Sequence, residues 1–158
     1  MSKHSKYVSR DDALKKMQRY CAYQERSHKE VRGKLLDLGI YGDDLEAILA
    51  ELIADNFLNE ERFARAYARG KFRMKQWGRR RILQELKFRG VSAYSTRKAM
   101  EEIPETDYLE TLENVVRKKY DSLKEPDDYK RRNKTAQYAI SRGFEPNLVW
   151  QTIERLSP

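Results

Sequence analysis

Arg62, Arg65, Arg69 and Arg73 follow one another at steps of three, four and four residues. On a helix that spacing lines four guanidinium groups along one face and turns Phe63, Ala66 and Tyr67 toward a core. Lys71 and Lys75 widen the stripe. Arg79, Arg80 and Arg81 come directly after Trp77-Gly78, so three arginines and the free N–H groups of a helix start meet at one spot, a natural seat for phosphate. Lys87 and Arg89 extend the charge, and Arg97 and Lys98 add to it. From Arg62 to Lys98 the one acid among thirteen basic residues is Glu85, which leaves their repulsion uncompensated. The chemistry implied is contact with a polyanion, or with a partner already bound to one. Trp77 serves either as a stacking face for a base or as a packing anchor between repeats. If about six to ten of these cations met phosphates, affinity would fall by about 10³- to 10⁵-fold between about 50 and 200 mM salt.

The charge is unevenly placed. Residues 1–58 carry ten Lys/Arg against ten Asp/Glu, and residues 105–158 again carry ten against ten. Residues 59–104 carry thirteen against five, so the whole formal charge of +8 belongs to the middle third.

Other chemistry finds little support. The seven glycines form neither common phosphate-binding loop. His4 and His28 have no cysteine or carboxylate at ligand spacing, so neither a metal nor a cofactor is expected. The pairs Asp11-Asp12, Asp43-Asp44, Glu60-Glu61 and Glu101-Glu102 fall near expected helix ends, where capping explains them better than acid–base catalysis. A non-enzyme is expected. Cys21 is the one cysteine, no apolar run approaches the roughly 20 residues of a membrane span, and the N-terminus lacks a secretory signal's apolar core. A cytoplasmic protein with no membrane contact follows.

The elements that must carry these residues are helices. Ser9 with Asp12 has the form of a cap and capping box for the first, with Ala13, Leu14, Met17, Tyr20 and Cys21 at helical steps. Ser27 and Glu30 form a capping box for the second, which Gly39 stops, and Asp43 caps a third that ends near Asp55. The phrase then returns. Asn59 caps a helix carrying Phe63, Tyr67 and Met74; Gly78 opens one with Ile82, Leu83 and Leu86, stopped by Gly90; Ser92 caps another. In the third copy a helix starts at Thr106, a second runs from about Asp128 to Arg142 and is stopped by Gly143, and Glu145 with Pro146 opens the last. Gly39, Gly90 and Gly143 lie 51 and 53 residues apart, each followed by an apolar residue and preceded at four residues by Leu35, Leu86 and Ala139. No sheet is expected. The reading is an all-α fold of three tandem three-helix repeats in an elongated, curved array: a flexible tail 1–8, then 9–58, 59–104 (the basic one) and 105–158. One irregular helical bundle is the plainer alternative.

Four stretches resemble the bacterial RecX regulatory proteins. They are Arg26-Ser27-x-x-Glu30-x-x-x-Lys34-Leu35, Asn59-Glu60-Glu61-Arg62-Phe63-Ala64, Gly78-Arg79-Arg80-Arg81-Ile82-x-x-Glu85-Leu86-x-x-x-Gly90-Val91, and Arg142-Gly143-Phe144. Their order and spacing cover most of the chain. An aspartate is usual where this chain has Glu60-Glu61, and Gly33 replaces a polar helix former. The resemblance implies a tandem array of three-helix units without enzymatic activity. It implies binding to the RecA recombinase filament on single-stranded DNA, blocking filament extension and the ATPase, strand-exchange and coprotease activities, and so regulating DNA repair, recombination and the SOS response. A monomer is expected, with Arg65, Arg69, Arg73, Trp77, Arg79, Arg80, Arg81, Lys87 and Arg89 meeting RecA or DNA. Two rivals stay open: a general single-stranded nucleic-acid-binding helical protein, and a scaffold for acidic proteins. A helix-turn-helix repressor fits poorly, because the helix after Ser92 ends in acids.

Overall fold

Gly39, Gly90 and Gly143 each end a helix with φ in the left-handed region, at 82°, 76° and 104°. The hydrogen bonds around them are the same three times over. The glycine N–H reaches back to Leu36, Lys87 or Ile140, and the N–H of the following residue reaches Leu35, Leu86 or Ala139. That double bond pattern closes a helix end with few orphan carbonyls, and it needs a backbone that only a residue without Cβ adopts freely. Leu35, Leu86 and Ala139 are fully buried, so each cap also pins a core position.

The computed structural model describes residues 8–157; all but the last residue of the expected tail, and His4 with it, lie outside the described residues. Among the described residues there are nine helices and no strand. They are α1 Arg10–Tyr23, α2 His28–Asp37, α3 Gly42–Ala54, α4 Glu60–Lys75, α5 Arg79–Phe88, α6 Ala93–Met100, α7 Glu105–Ser122, α8 Asp128–Ser141 and α9 Pro146–Leu156. The fold is an all-α helical repeat. Ser9, Asn59 and Ser92 cap as expected, and Ser27 with Glu30 completes both bonds of a capping box; at Ser9 only the Asp12 N–H bond forms, and the shorter Asp12 side chain makes no return bond.

Some local expectations are corrected. Tyr41 occupies the cap of α3 with no side-chain bond, and Asp43 falls instead in the first turn, where its charge faces the helix N-terminus. α7 starts at Glu105 behind Pro104 rather than at Thr106. Met74 is 83% exposed. Phe72 takes the last inward place on α4, and two further residues turn the helix by about 200°. Leu83 likewise turns away beside the buried Ile82.

Close helix contacts fall within α1–α3, within α4–α6 and within α7–α9. The apolar cores divide differently. One, built on Val31, Leu35, Leu49 and Leu52, belongs to α1–α3. The other runs without a break from Phe63 on α4 through Ile82, Leu86 and Tyr108 to Ile153 on α9. Phe72, Tyr108 and Phe144 bind this second core across its middle, with ring centroids 5.9 and 5.3 Å apart.

Candidate nucleic-acid interface

The basic residues hang on α4, α5 and the bend between them. α4 ends at Gln76 in the left-handed region, the Trp77 N–H returns to the Lys71 carbonyl at 3.2 Å, and Gly78 caps α5. Gly78 lies against the end of α8: a Cβ there would stand 2.2 Å from the Gly143 carbonyl carbon. The consequence is chemical. The Gly78 N–H donates to Arg142 O at 2.8 Å, the Arg79 N–H to the Tyr108 hydroxyl at 2.9 Å, and the Arg80 N–H to Gly143 O at 2.9 Å. The start of α5, expected as an open phosphate seat, is therefore closed by α7 and the α8–α9 connection.

The arginines divide into two sets. Arg79 turns inward: its guanidinium lies 3.8 Å from the Tyr108 ring centroid and bonds Glu145 and Glu105, each at 2.9 Å. Tyr108 donates its hydroxyl proton to Glu145, and burial, with that bond, raises its pKa. Glu145 spends its carboxylate there rather than on the α9 cap. Arg65 is held by Glu61, Glu101 and Glu102 at 2.9, 3.0 and 2.8 Å, and Arg69 by Glu102 at 2.7 Å. The hydrogen bonds from Arg65 and Arg69 hold the Glu102 carboxyl below the usual carboxylate range. Arg62 meets Glu25 at 2.6 Å, and Arg89 meets Glu85 at 2.6 Å. The uncompensated stripe expected along α4 is thus compensated over much of its length, by Glu61 on α4 itself, by Glu25 from the α1–α2 connection and by Glu101 and Glu102 from the turn after α6. Glu101 and Glu102, expected as ordinary helix-end carboxylates, serve as its clamps.

The second set stays open. Arg73, Lys75, Arg80, Arg81, Lys87 and Arg97 are exposed, and none has an ion-pair partner among the described residues. Trp77 is half-buried, with the Arg81 guanidinium 4.0 Å and the Lys71 ammonium 4.9 Å from its rings. Its edge meets Tyr67 at 6.4 Å, and Arg89 lies 4.8 Å from the Tyr67 ring. Arg81, Trp77, Lys71, Tyr67 and Arg89 therefore form a ladder in which cation and ring alternate. Each such contact is worth about 0.5–1 kcal/mol at an exposed site, enough to hold the long side chains in place; Arg81 and Lys71 keep their charge open, while Arg89 is also paired with Glu85. Tyr67 and Lys71 were legible as neighbours from their four-residue spacing; that they flank Trp77 was not. Among the described residues no cluster of His, Cys, Asp and Glu could hold a metal ion, and no helix is long and apolar enough to cross a membrane.

Comparison with known proteins supplies the context. Family models described as the RecX second three-helix domain and the RecX third three-helix domain match residues 59–100 and 105–153. The chain is 30% identical over 152 residues to the Regulatory protein RecX of Prosthecochloris aestuarii, an alignment covering 94% of this chain and 98% of that one. It is 31% identical over 124 residues to the Regulatory protein RecX of Haemophilus influenzae strain PittGG, covering 78% and 80%. The crystal structure of RecX from Lactobacillus salivarius has the same fold, with a TM-score of 0.83 at 22% identity over 93% of this chain and 96% of that one.

Proposed function

Because this chain belongs to the RecX regulatory family, we propose that it is a non-enzymatic, cytoplasmic modulator of the RecA recombinase. It binds the RecA–DNA filament as a monomer and blocks its extension, and with it the ATPase, strand-exchange and coprotease activities. Three units, 9–58, 59–104 and 105–158, form a curved array along the filament, the basic middle unit facing the DNA phosphates and the outer units gripping RecA.

One observation carries this reading. After the ion pairs have absorbed Arg62, Arg65, Arg69, Arg79 and Arg89, an open set remains: Arg73, Lys75, Arg80 and Arg81 around the bend between α4 and α5, and Lys87 in the last turn of α5. Arg65, Arg69, Arg79 and Arg89 act as positioning residues for that set. The four cations Arg73, Arg80, Arg81 and Lys87, with Trp77 among them, make the contact itself. A second reading is direct contact with single-stranded DNA through the same open cations, with Trp77, packed against the core under Arg81 and Lys71, as their anchor.

The test is the rate of single-stranded-DNA-dependent ATP hydrolysis by the cognate RecA as this protein is added, with DNA binding followed at the same salt. Inhibition is expected well below one molecule per RecA, before naked DNA is coated. The combined Arg73→Ala, Arg80→Ala, Arg81→Ala variant should need about tenfold more protein, since each lost phosphate contact lowers the salt-dependent affinity. Undiminished inhibition by that variant would remove the site. Inhibition only at saturation of the DNA would favour simple competition for the strand.

A further inference from the structure

The third unit has no net charge in its sequence, yet its surface gathers cations beside exposed rings. Between α7 and α8 lies an open groove of about 670 Å³, lined among others by Lys119, Tyr129, Lys130, Lys134 and Tyr138. Tyr129 is 75% exposed, and the Lys119 ammonium stands 4.6 Å from the Tyr138 ring. Of the nearby acids, Asp127 caps α8 through the Tyr129 N–H without a cation partner, and the other two are engaged. Asp128 accepts from Tyr120 at 2.6 Å and Arg132 at 2.7 Å, and Glu125 accepts from Lys134 at 3.1 Å. Lys119 and Lys130 have no acid partner among the described residues.

The groove does not end there. A smaller cavity of about 270 Å³ shares Lys119 and Tyr138 with it and reaches Lys118, Arg142 and Gln76. Arg142 in turn bonds the carbonyls of Lys75 and Gln76, at the foot of the α4–α5 bend. From Tyr129 the two cavities thus run past Lys119, Tyr138 and Arg142 to Gln76, the residue before Trp77.

We propose that the α7–α8 groove is a second seat for single-stranded nucleic acid, continuous with the ladder around Trp77; this rests on the polyanion contact argued above. A strand presents a phosphate and a planar base at every residue, so it uses both the lysines and the open tyrosine faces. An acidic peptide would use the lysines and leave the rings in water. The same association of cation and ring recurs between α1 and α2, where the Arg26 guanidinium lies 3.6 Å from the Tyr20 ring in a groove that also holds Lys16 and Lys34.

The experiment is the binding of the full chain to a fluorescent 20-residue oligothymidylate, with photo-crosslinking of a bromodeoxyuridine-substituted copy and mapping of the crosslinked peptides. Crosslinks are expected in α8 as well as beside Trp77. The double variant Tyr129→Ala, Lys130→Ala should bind at least about fivefold more weakly with a salt slope lower by about 0.7, and its helix content and melting should match the parent because both side chains are exposed. Crosslinks confined to Trp77 with unchanged affinity of the double variant would overturn the groove and leave the polyanion contact standing. If the oligonucleotide fails to bind but polyglutamate binds and is weakened by the double variant, the groove takes acidic protein and the proposal falls. Binding of neither probe at low salt would remove the polyanion reading itself.

Discussion

Glu102 shows how one side chain decides which arginines remain available. It accepts from Arg65 at 2.8 Å and Arg69 at 2.7 Å, and those bonds lower its pKa. A carboxylate with a depressed folded-state pKa stabilises the protein above its unfolded value of about 4.3, and that contribution is lost as pH falls through the folded value. Glu102→Gln should therefore lower the melting temperature at pH 7, and the gap between variant and parent should close as pH falls below about 4. Melting curves between pH 7 and pH 3 measure it; a gap that stays constant across the range would mean that the carboxylate charge plays no part. The same substitution releases Arg69 from its ion pair while Arg65 stays on Glu61 and Glu101, so DNA affinity is expected to hold as stability falls.

At the scale of elements, two glycines with opposite roles make a matched test. Gly33 lies within α2 with nothing near the place a Cβ would take, and its φ is ordinary. Gly33→Ala removes backbone freedom from the unfolded chain and should stabilise by about 0.5–1 kcal/mol. Gly78 has the Gly143–Phe144 peptide group against its ideal Cβ, the Gly143 carbonyl carbon at 2.2 Å and the Phe144 nitrogen at 2.3 Å. Gly78→Ala must part α5 from the end of α8, breaking the bonds from Gly78 and Arg80 and exposing Tyr108. A loss of more than about 3 kcal/mol in urea denaturation is expected, since overpacking against backbone has no side chain to yield. An effect below about 1 kcal/mol would show that the two elements separate freely.

For the whole molecule, helix triplets and cores do not coincide. α4–α9 share one core, while α1–α3 have their own and meet the rest through polar and cation–ring contacts such as Arg62 with Glu25 at 2.6 Å and Lys29 over Phe88 at 4.3 Å. Contacts of that kind are worth little individually, so the first core should open on its own. Leu35→Ala, a truncation costing about 2–5 kcal/mol, should speed amide exchange in α1–α3 alone, whereas Leu86→Ala should speed it from α4 through α9. Exchange that rises throughout the chain in both variants would contradict the division.

What the sequence by itself determined is the local grammar: caps at Ser9, Ser27, Asn59 and Ser92, stops at Gly39, Gly90 and Gly143, and the repeat that joins them. Those features depend on bonds that close within about four or five residues, and spacing encodes them directly. Which arginines are open was decided only by the tertiary structure. Arg79 finds Glu145 66 residues away and Arg65 finds Glu102 37 residues away, distances that no helical period records. A count of nearby acids therefore overstated the free charge along α4. The tyrosines were silent for the same reason, because a helical face says that Tyr129 and Tyr138 lie on α8 but not that α7 brings Lys119 beside them. Local bonding is written in neighbours, and most of the charge compensation is written in contacts between residues far apart in the chain.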